Sequence, residues 1–168
     1  KTGIDLNGES KGIIFPLDKV GPLELATTSF GQGVSVTAMQ QVLAVSSIIN
    51  DGNMYTPYVM KSISERETGL IIKETYPRLK KENLITKETS NLVKYALESV
   101  VANGSGHNAY IEGYRIGGKT GTAQKVGSDG RYMIGNYILS FIGFMPANDP
   151  EYIVYIGVDG AKGATQYG

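Results

Sequence analysis

Hydrophobic and polar positions divide this chain into stretches of different rhythm. Residues 1–36 are rich in Gly and turn formers, show little periodicity and are expected to run as extended loop. From Thr37 the pattern becomes helical. "VTAMQQVLAVSSIIND" sets Met39, Val42, Leu43, Ser46 and Ile49 at helical spacing, with Thr37 as N-cap and Asp51-Gly52 closing the helix. Two β-favouring runs follow, Tyr58–Ile63 and Leu70–Thr75, separated by "SERETG", a spacing that predicts a hairpin with a loop longer than two residues. Pro77 ends it. "LKKENLITKE" then reads as a charged, solvated connector, because its basic and acidic residues nearly cancel. Thr86 opens a second helix whose apolar stripe is Leu92, Val93, Ala96, Leu97, Val100 and Val101, and Gly104 stops it.

Beyond the loop "GSGHNAYIEG" the chain is β-like, with strands expected over Tyr114–Lys125, Asn136–Met145 and Glu151–Asp159. "VGSDGRY" and "PANDP" are short connections, so the strands should form an antiparallel meander. "YILSFIGF", from Tyr137, is nearly continuous apolar sequence, as a strand covered on both faces requires. Helices precede sequential strands without βαβ alternation. The expected class is therefore mixed α/β (α+β), an antiparallel sheet with packed helices.

Composition narrows the functions open to such a fold. The 168 residues suit one domain, and 16 basic residues balance 16 acidic ones, so no net field draws in nucleic acid or an anionic membrane. The absence of cysteine removes disulfides, thiol catalysis and Cys-based zinc sites. His107 is the only histidine, which rules out a site of several imidazoles within one chain; no metal and no cofactor is expected. The longest apolar runs, around Val42–Ala44 and Tyr137–Met145, are too short to cross a bilayer, and no signal peptide is recognisable. The chain opens on Lys1 and stops at "KGATQYG" without a terminating element, so a piece of something longer is expected.

"GYRIGGKTGT", from Gly113, fits two unrelated chemical signatures. As G-x-x-x-x-G-K-[ST] it matches a phosphate-cradling loop; from Lys119 it is a K-T-G triplet. A phosphate loop needs a buried strand before it and a helix after it, because the helix N-terminus supplies the N–H groups. Here polar "SGHNAYIE" precedes and glycine-broken "AQKVGSDGRYMIG" follows, so the nucleotide reading fails on context. "GSGHNA" likewise mimics a dinucleotide fingerprint but follows a helix and is sufficiently explained as its C-terminal turn. The K-T-G reading asks only for an accessible strand. There Lys119 supplies fixed positive charge, Thr120 a hydroxyl for an anionic group of substrate, and Gly121 room for close approach. The N–H of Thr122 can face a developing oxyanion.

"GGKTGTAQK" with "NYILSFIGFMP" and "ATTSFGQGVSVTAMQQVLAVSSIINDGNMYTPYV" resembles the transpeptidase domain of class B (monofunctional) penicillin-binding proteins, in wording nearest to Gram-positive sporulation, elongation or division types. "TGIDLNGE" and "VVANGSGHNAYIEGYRIGGKTGTAQ" extend the likeness over nearly the whole chain, the stretch from about Ser62 to Glu88 excepted. The resemblance implies a serine acyltransferase that attacks the D-Ala-D-Ala end of a peptidoglycan stem peptide, and that β-lactams acylate by mimicry. It implies no cofactor, and an extracytoplasmic location on a protein anchored by a segment outside these residues. Carried over residue by residue, Lys119, Thr120 and Gly121 are the third catalytic motif, and Thr122 adds an oxyanion-hole N–H. Gln124 borders the pocket, and the loop with Ser105 and His107 rims it. Lys162, in the last loop, is placed near the cleft entrance.

The departures are as informative. The family also needs S-x-x-K, for the nucleophile and its activating lysine, and S-x-N. No serine here has Lys three residues on, and none has Asn two residues on. The resemblance therefore implies the C-terminal portion of a transpeptidase domain, an incomplete β-lactamase/transpeptidase-like fold that the remaining part of the domain must complete. Apolar sheet surface left open by that gap should promote dimerisation of the isolated piece. A β-lactamase or β-lactam-sensor domain of the same fold also carries K-T-G. A noncatalytic module binding peptide by strand addition is the alternative from another class.

Overall fold

The computed structural model describes residues 1–160. Three helices and seven strands follow in the order α1 (Pro22–Ser29), α2 (Ala38–Ile49), β1 (Met54–Thr56), β2 (Ser62–Ser64), β3 (Ile71–Glu74), β4 (Arg78–Lys81), α3 (Lys87–Asn103), β5 (Gly117–Val126), β6 (Tyr132–Met145) and β7 (Tyr152–Asp159). The last three form one antiparallel sheet of order β5-β6-β7, while β1 pairs β4 and β2 pairs β3 in separate two-stranded ribbons. The expected class and the meander hold.

Both long helices start where their caps say they should. The Thr37 hydroxyl accepts from the Gln40 N–H, and the Gln40 side chain accepts in return from the Thr37 N–H at 2.9 Å. In α3 the Thr86 hydroxyl accepts from the Thr89 N–H, and Gly104 ends the helix. Asp51, just past α2, turns the chain at φ 52.

Elsewhere the structure corrects the sequence. The first 36 residues are not all loop: Pro22–Ser29 is a helix, started by Pro22 and by a Gly21 N–H donated to the Glu24 carboxylate at 3.0 Å. Its Leu23 and Leu25 stay exposed, so burial gave it no periodic signature. The charged connector is partly strand, because Arg78–Lys81 pairs with β1. The stripe of α3 is rotated. Leu92 and Ala96 are exposed, while Ser90, Lys94 and Val101 are buried and Leu97 packs on the core.

Lys94 can sit inside because its ammonium lies 3.4 Å from a carboxylate oxygen of Asp51, which Lys87 approaches at 3.4 Å from outside. Burial pushes the Asp51 carboxyl up, but the two ammonium groups outweigh it and hold it below the ordinary carboxylate range. Asp5 is likewise lowered by the Met60 and Val59 N–H groups, and Glu9 is lowered to about 2 by the Thr2 hydroxyl and N–H. Carboxyls depressed by folding stabilise the native state fully above their unfolded values, near 4 to 4.5, and lose that contribution as pH falls toward their folded values. The thermal midpoint is therefore expected to stay flat from pH 7 to about 5 and to decline below about 4.5. A midpoint that rises on acidification, followed by circular dichroism, would contradict this.

The pleat assigns residues to the two faces of the large sheet. Gly117, Phe144 and Ile153 form one cross-strand row, and Lys119, Ile142 and Tyr155 another on the same face. There Phe144 meets Ile49 and Ala147, with Val45 of α2 and Leu97 of α3 around them. That cluster is the core. The opposite face carries the rows Thr120–Phe141–Ile156 and Thr122–Leu139–Val158. On β7 its residues Tyr152, Val154, Ile156 and Val158 are all exposed.

Candidate functional site

β5 is an edge strand. It pairs with β6 on one side, and among the described residues nothing pairs with its other side. Main-chain groups of alternate residues on such a strand point to the same edge. The Gly121 carbonyl faces β6, where the Ser140 hydroxyl reaches it at 3.5 Å. The Thr120 carbonyl accepts from the Lys119 ammonium at 2.9 Å, so it lies on the unpaired edge. By the same alternation the N–H of Thr122 also faces that edge. Lys119 itself is exposed, its charge drawn round the strand to where an extended ligand could lie.

Glycines make the strand thin here. A Cβ on Gly118 would stand 2.5 Å from Phe141 Cζ, and one on Gly117 would stand 2.4 Å from Phe144 Cζ. The two rings thus press on β5 from opposite faces immediately before Lys119. A Cβ on Gly121 would meet only the Ser140 side chain, whose hydroxyl would stand 2.5 Å away.

The segment between α3 and β5 closes over one end of the strand. The N–H groups of Gly104 and Gly106 both donate to the Val100 carbonyl, at 3.1 and 3.0 Å, which folds the chain sharply at the helix end. Arg115 returns it to α3 through a bidentate pair with Glu98, both contacts at 2.7 Å. The Arg115 hydrogen bond holds the Glu98 carboxyl below the ordinary range, against some burial, and Glu98 raises the guanidinium in turn. Between these pins, the Ser105 hydroxyl lies 3.1 Å from that of Thr120. A groove of about 300 Å³ opens beside them, lined by Ser105, Asn108, Thr120, Leu139, Phe141 and Val158 among others.

The residues singled out from the sequence do not all converge. Lys119, Thr120, Gly121 and Thr122 share β5, and Ser105 joins Thr120. Gln124 lies further along on the same face, but its side-chain amide donates to the Met133 carbonyl at 3.1 Å, across the hairpin. His107 stacks on Tyr110, centroids 5.5 Å apart, and does not line the groove. Its neighbour Asn108 does, and nothing in the sequence marked Asn108 out. The apolar floor was equally hidden, since only the β5-β6-β7 register brings Leu139, Phe141 and Val158 beside Thr120. Lys162 lies outside the described residues. Among the described residues there is no cluster of ligating side chains that could hold a metal, and no helix long and apolar enough to cross a membrane.

A positive charge, two hydroxyls and an outward N–H on one strand edge, above an apolar groove, suit the binding of a peptide-like carbonyl with a nearby anionic group. They include no nucleophile with an adjacent base. The family model described as penicillin binding protein transpeptidase domain matches residues 1–168. The chain is 58% identical over 168 residues to stage V sporulation protein D of Bacillus subtilis, covering 100% of the chain and 26% of that protein. It is 33% identical over 168 residues to the peptidoglycan D,D-transpeptidase FtsI of Escherichia coli K12, covering 99% of the chain and 26% of FtsI. The fold superposes on penicillin binding protein 3 from Mycobacterium tuberculosis complexed with ampicillin, with a TM-score of 0.86 and 31% identity. That match covers 95% of this chain and 36% of the other. The chain thus spans about a quarter of the length of these curated relatives.

Proposed function

The chain belongs to the penicillin-binding protein transpeptidase domain family, and on that premise we propose that it supplies the K-T-G wall of a peptidoglycan D,D-transpeptidase. In this reading a serine from an S-x-x-K motif, which these 168 residues do not contain, attacks the D-Ala-D-Ala amide of a stem peptide. The terminal D-Ala leaves, and an amine of a neighbouring stem captures the acyl-enzyme. β-Lactams enter the same acylation. Residues 1–168 form part of one catalytic domain, carried at the extracytoplasmic face of a bacterial cell membrane.

The observation that carries the proposal is the free edge of β5. There the Lys119 ammonium sits at the Thr120 carbonyl, and the N–H of Thr122 shares its direction. A developing oxyanion at Thr122 N–H gains a fixed donor, typically worth about 10²–10³ in rate. Thr120 and Thr122, on one face, offer hydroxyls to the substrate carboxylate. Gln124 extends that face toward the hairpin end, and the Ser105–His107 loop forms the rim.

The test is labelling by a fluorescent penicillin, read by intact mass. The full-length protein is expected to gain one acyl group per chain. The isolated 168 residues are expected to gain none, and sizing of that piece is expected to show dimers through its open apolar sheet face. Stoichiometric acylation of the isolated piece, or a full-length protein that resists acylation, would overturn the proposal. Slow deacylation of the full-length adduct separates a biosynthetic enzyme from a β-lactamase.

A further inference from the structure

We propose that Ser105 is a positioning residue: its hydroxyl donates to Thr120 Oγ1 and so fixes the single Thr120 proton on the carboxylate of the substrate. The inference rests on the acyl-transfer reading above and extends it to a residue outside β5.

A pair of hydroxyls 3.1 Å apart holds two protons, of which the pair itself consumes one. If Thr120 donated to Ser105, it would turn a lone pair toward any anion lying along the strand. With Ser105 as donor, Thr120 accepts and its own proton is free to point outward. An anion at the edge selects this second arrangement, and a chain of the form Ser105 O–H to Thr120 O–H to carboxylate polarises each link. Ser105 is also the one polar partner that the Thr120 side chain has among the described residues. Its row neighbours across the sheet, Phe141 and Ile156, have no polar side-chain atom. Without Ser105 the Thr120 hydroxyl would turn freely above them.

The loop is built to hold that contact. Its near end is fixed by the Gly104 and Gly106 N–H groups on the Val100 carbonyl, and its far end by the bidentate Arg115–Glu98 pair. Ser105 therefore meets Thr120 from a segment tied to α3 on both sides. It acts through Thr120 and need not touch the ligand.

The experiment compares a β-lactam bearing a free carboxylate with its methyl ester, in the full-length protein and in its Ser105→Ala and Ser105→Thr variants. Stopped-flow acylation separates the affinity of the first complex from the rate constant of the bond-forming step. Ser105→Ala is expected to weaken the first complex about three- to tenfold for the acid, as the loss of one hydrogen bond implies. The ester is expected to show no such loss, and Ser105→Thr should restore the acid to near wild type. Equal losses for acid and ester, or no loss for the acid, would overturn the inference. So would a loss that tracks a fall in thermal midpoint, since that marks a purely structural contact. A wild-type protein that neither compound acylates would instead overturn the acyl-transfer reading beneath it.

Discussion

Lys119→Ala in the full-length protein is expected to slow acylation by a fluorescent penicillin about 10²–10⁴-fold, the range typical for a group that assists proton transfer or stabilises charge in the transition state. The expectation follows from where the ammonium lies. Lys119 belongs to the row of Ile142 and Tyr155, on the helix-covered face, yet its Nζ bonds the Thr120 carbonyl at the open edge. The charge is thus held where a reacting amide would lie against the strand. It is not buried in an ion pair of its own: among the described residues its one side-chain hydrogen bond is to that carbonyl.

Because the side chain is exposed, removing it should change stability by no more than about 0.5 kcal/mol, as for other surface positions. The two readouts therefore separate. Lys119→Arg keeps the charge but replaces a compact ammonium with a planar fork, so it should recover only part of the rate. If Lys119→Ala acylates within threefold of wild type while its midpoint is unchanged, the K-T-G strand is not part of a catalytic wall.

The sequence revealed those parts of the fold whose signals are local. Thr37 with Gln40, and Thr86 with Thr89, mark helix starts within four residues of chain, and the meander was visible because its turns are short. What it hid depends on distant partners. Lys94 lies outside the apolar stripe read from the sequence, and its burial depends on the carboxylate of Asp51, 43 residues earlier. Arg78–Lys81 is too charged to suggest a strand, and pairs only because β1 offers it an edge. The site divides in the same way. K-T-G-T is contiguous and could be read directly, whereas the groove needs Leu139, Phe141 and Val158 in register. Ser105 and His107 were both singled out in the loop, but of the two only Ser105 lines the groove, beside Asn108, which the sequence left unmarked.

The largest loss of stability is expected at the contact between Gly117 and Phe144. Phe144 is 2% exposed and clusters with Ile49 and Ala147, and Val45 of α2, Leu97 of α3 and Ile153 pack against that cluster, so it lies where the sheet meets both helices. Phe144→Ala should cost about 3–5 kcal/mol, through lost burial and the cavity left behind. Gly117→Ala errs in the opposite direction. Its Cβ would stand 2.4 Å from Cζ and 2.8 Å from Cε2 of the same ring, too close for a true contact, and the ring is packed in on its other sides. Overpacking of this kind costs about 1–3 kcal/mol. The double variant Gly117→Ala with Phe144→Leu relieves the clash, because Leu lacks the atoms that the new methyl would strike. Its cost should fall short of the sum of the two single changes by about 1 kcal/mol or more, as for other residues in direct contact. Urea unfolding of the four proteins measures this. Strict additivity would mean that the ring does not press on β5. Gly117→Ala is also expected to slow acylation, because Gly117 lies two residues before Lys119 and an error of about 1 Å in placing a catalytic group can cost about 10²-fold. The Phe144→Leu partner should recover rate and stability together, since one contact sets both.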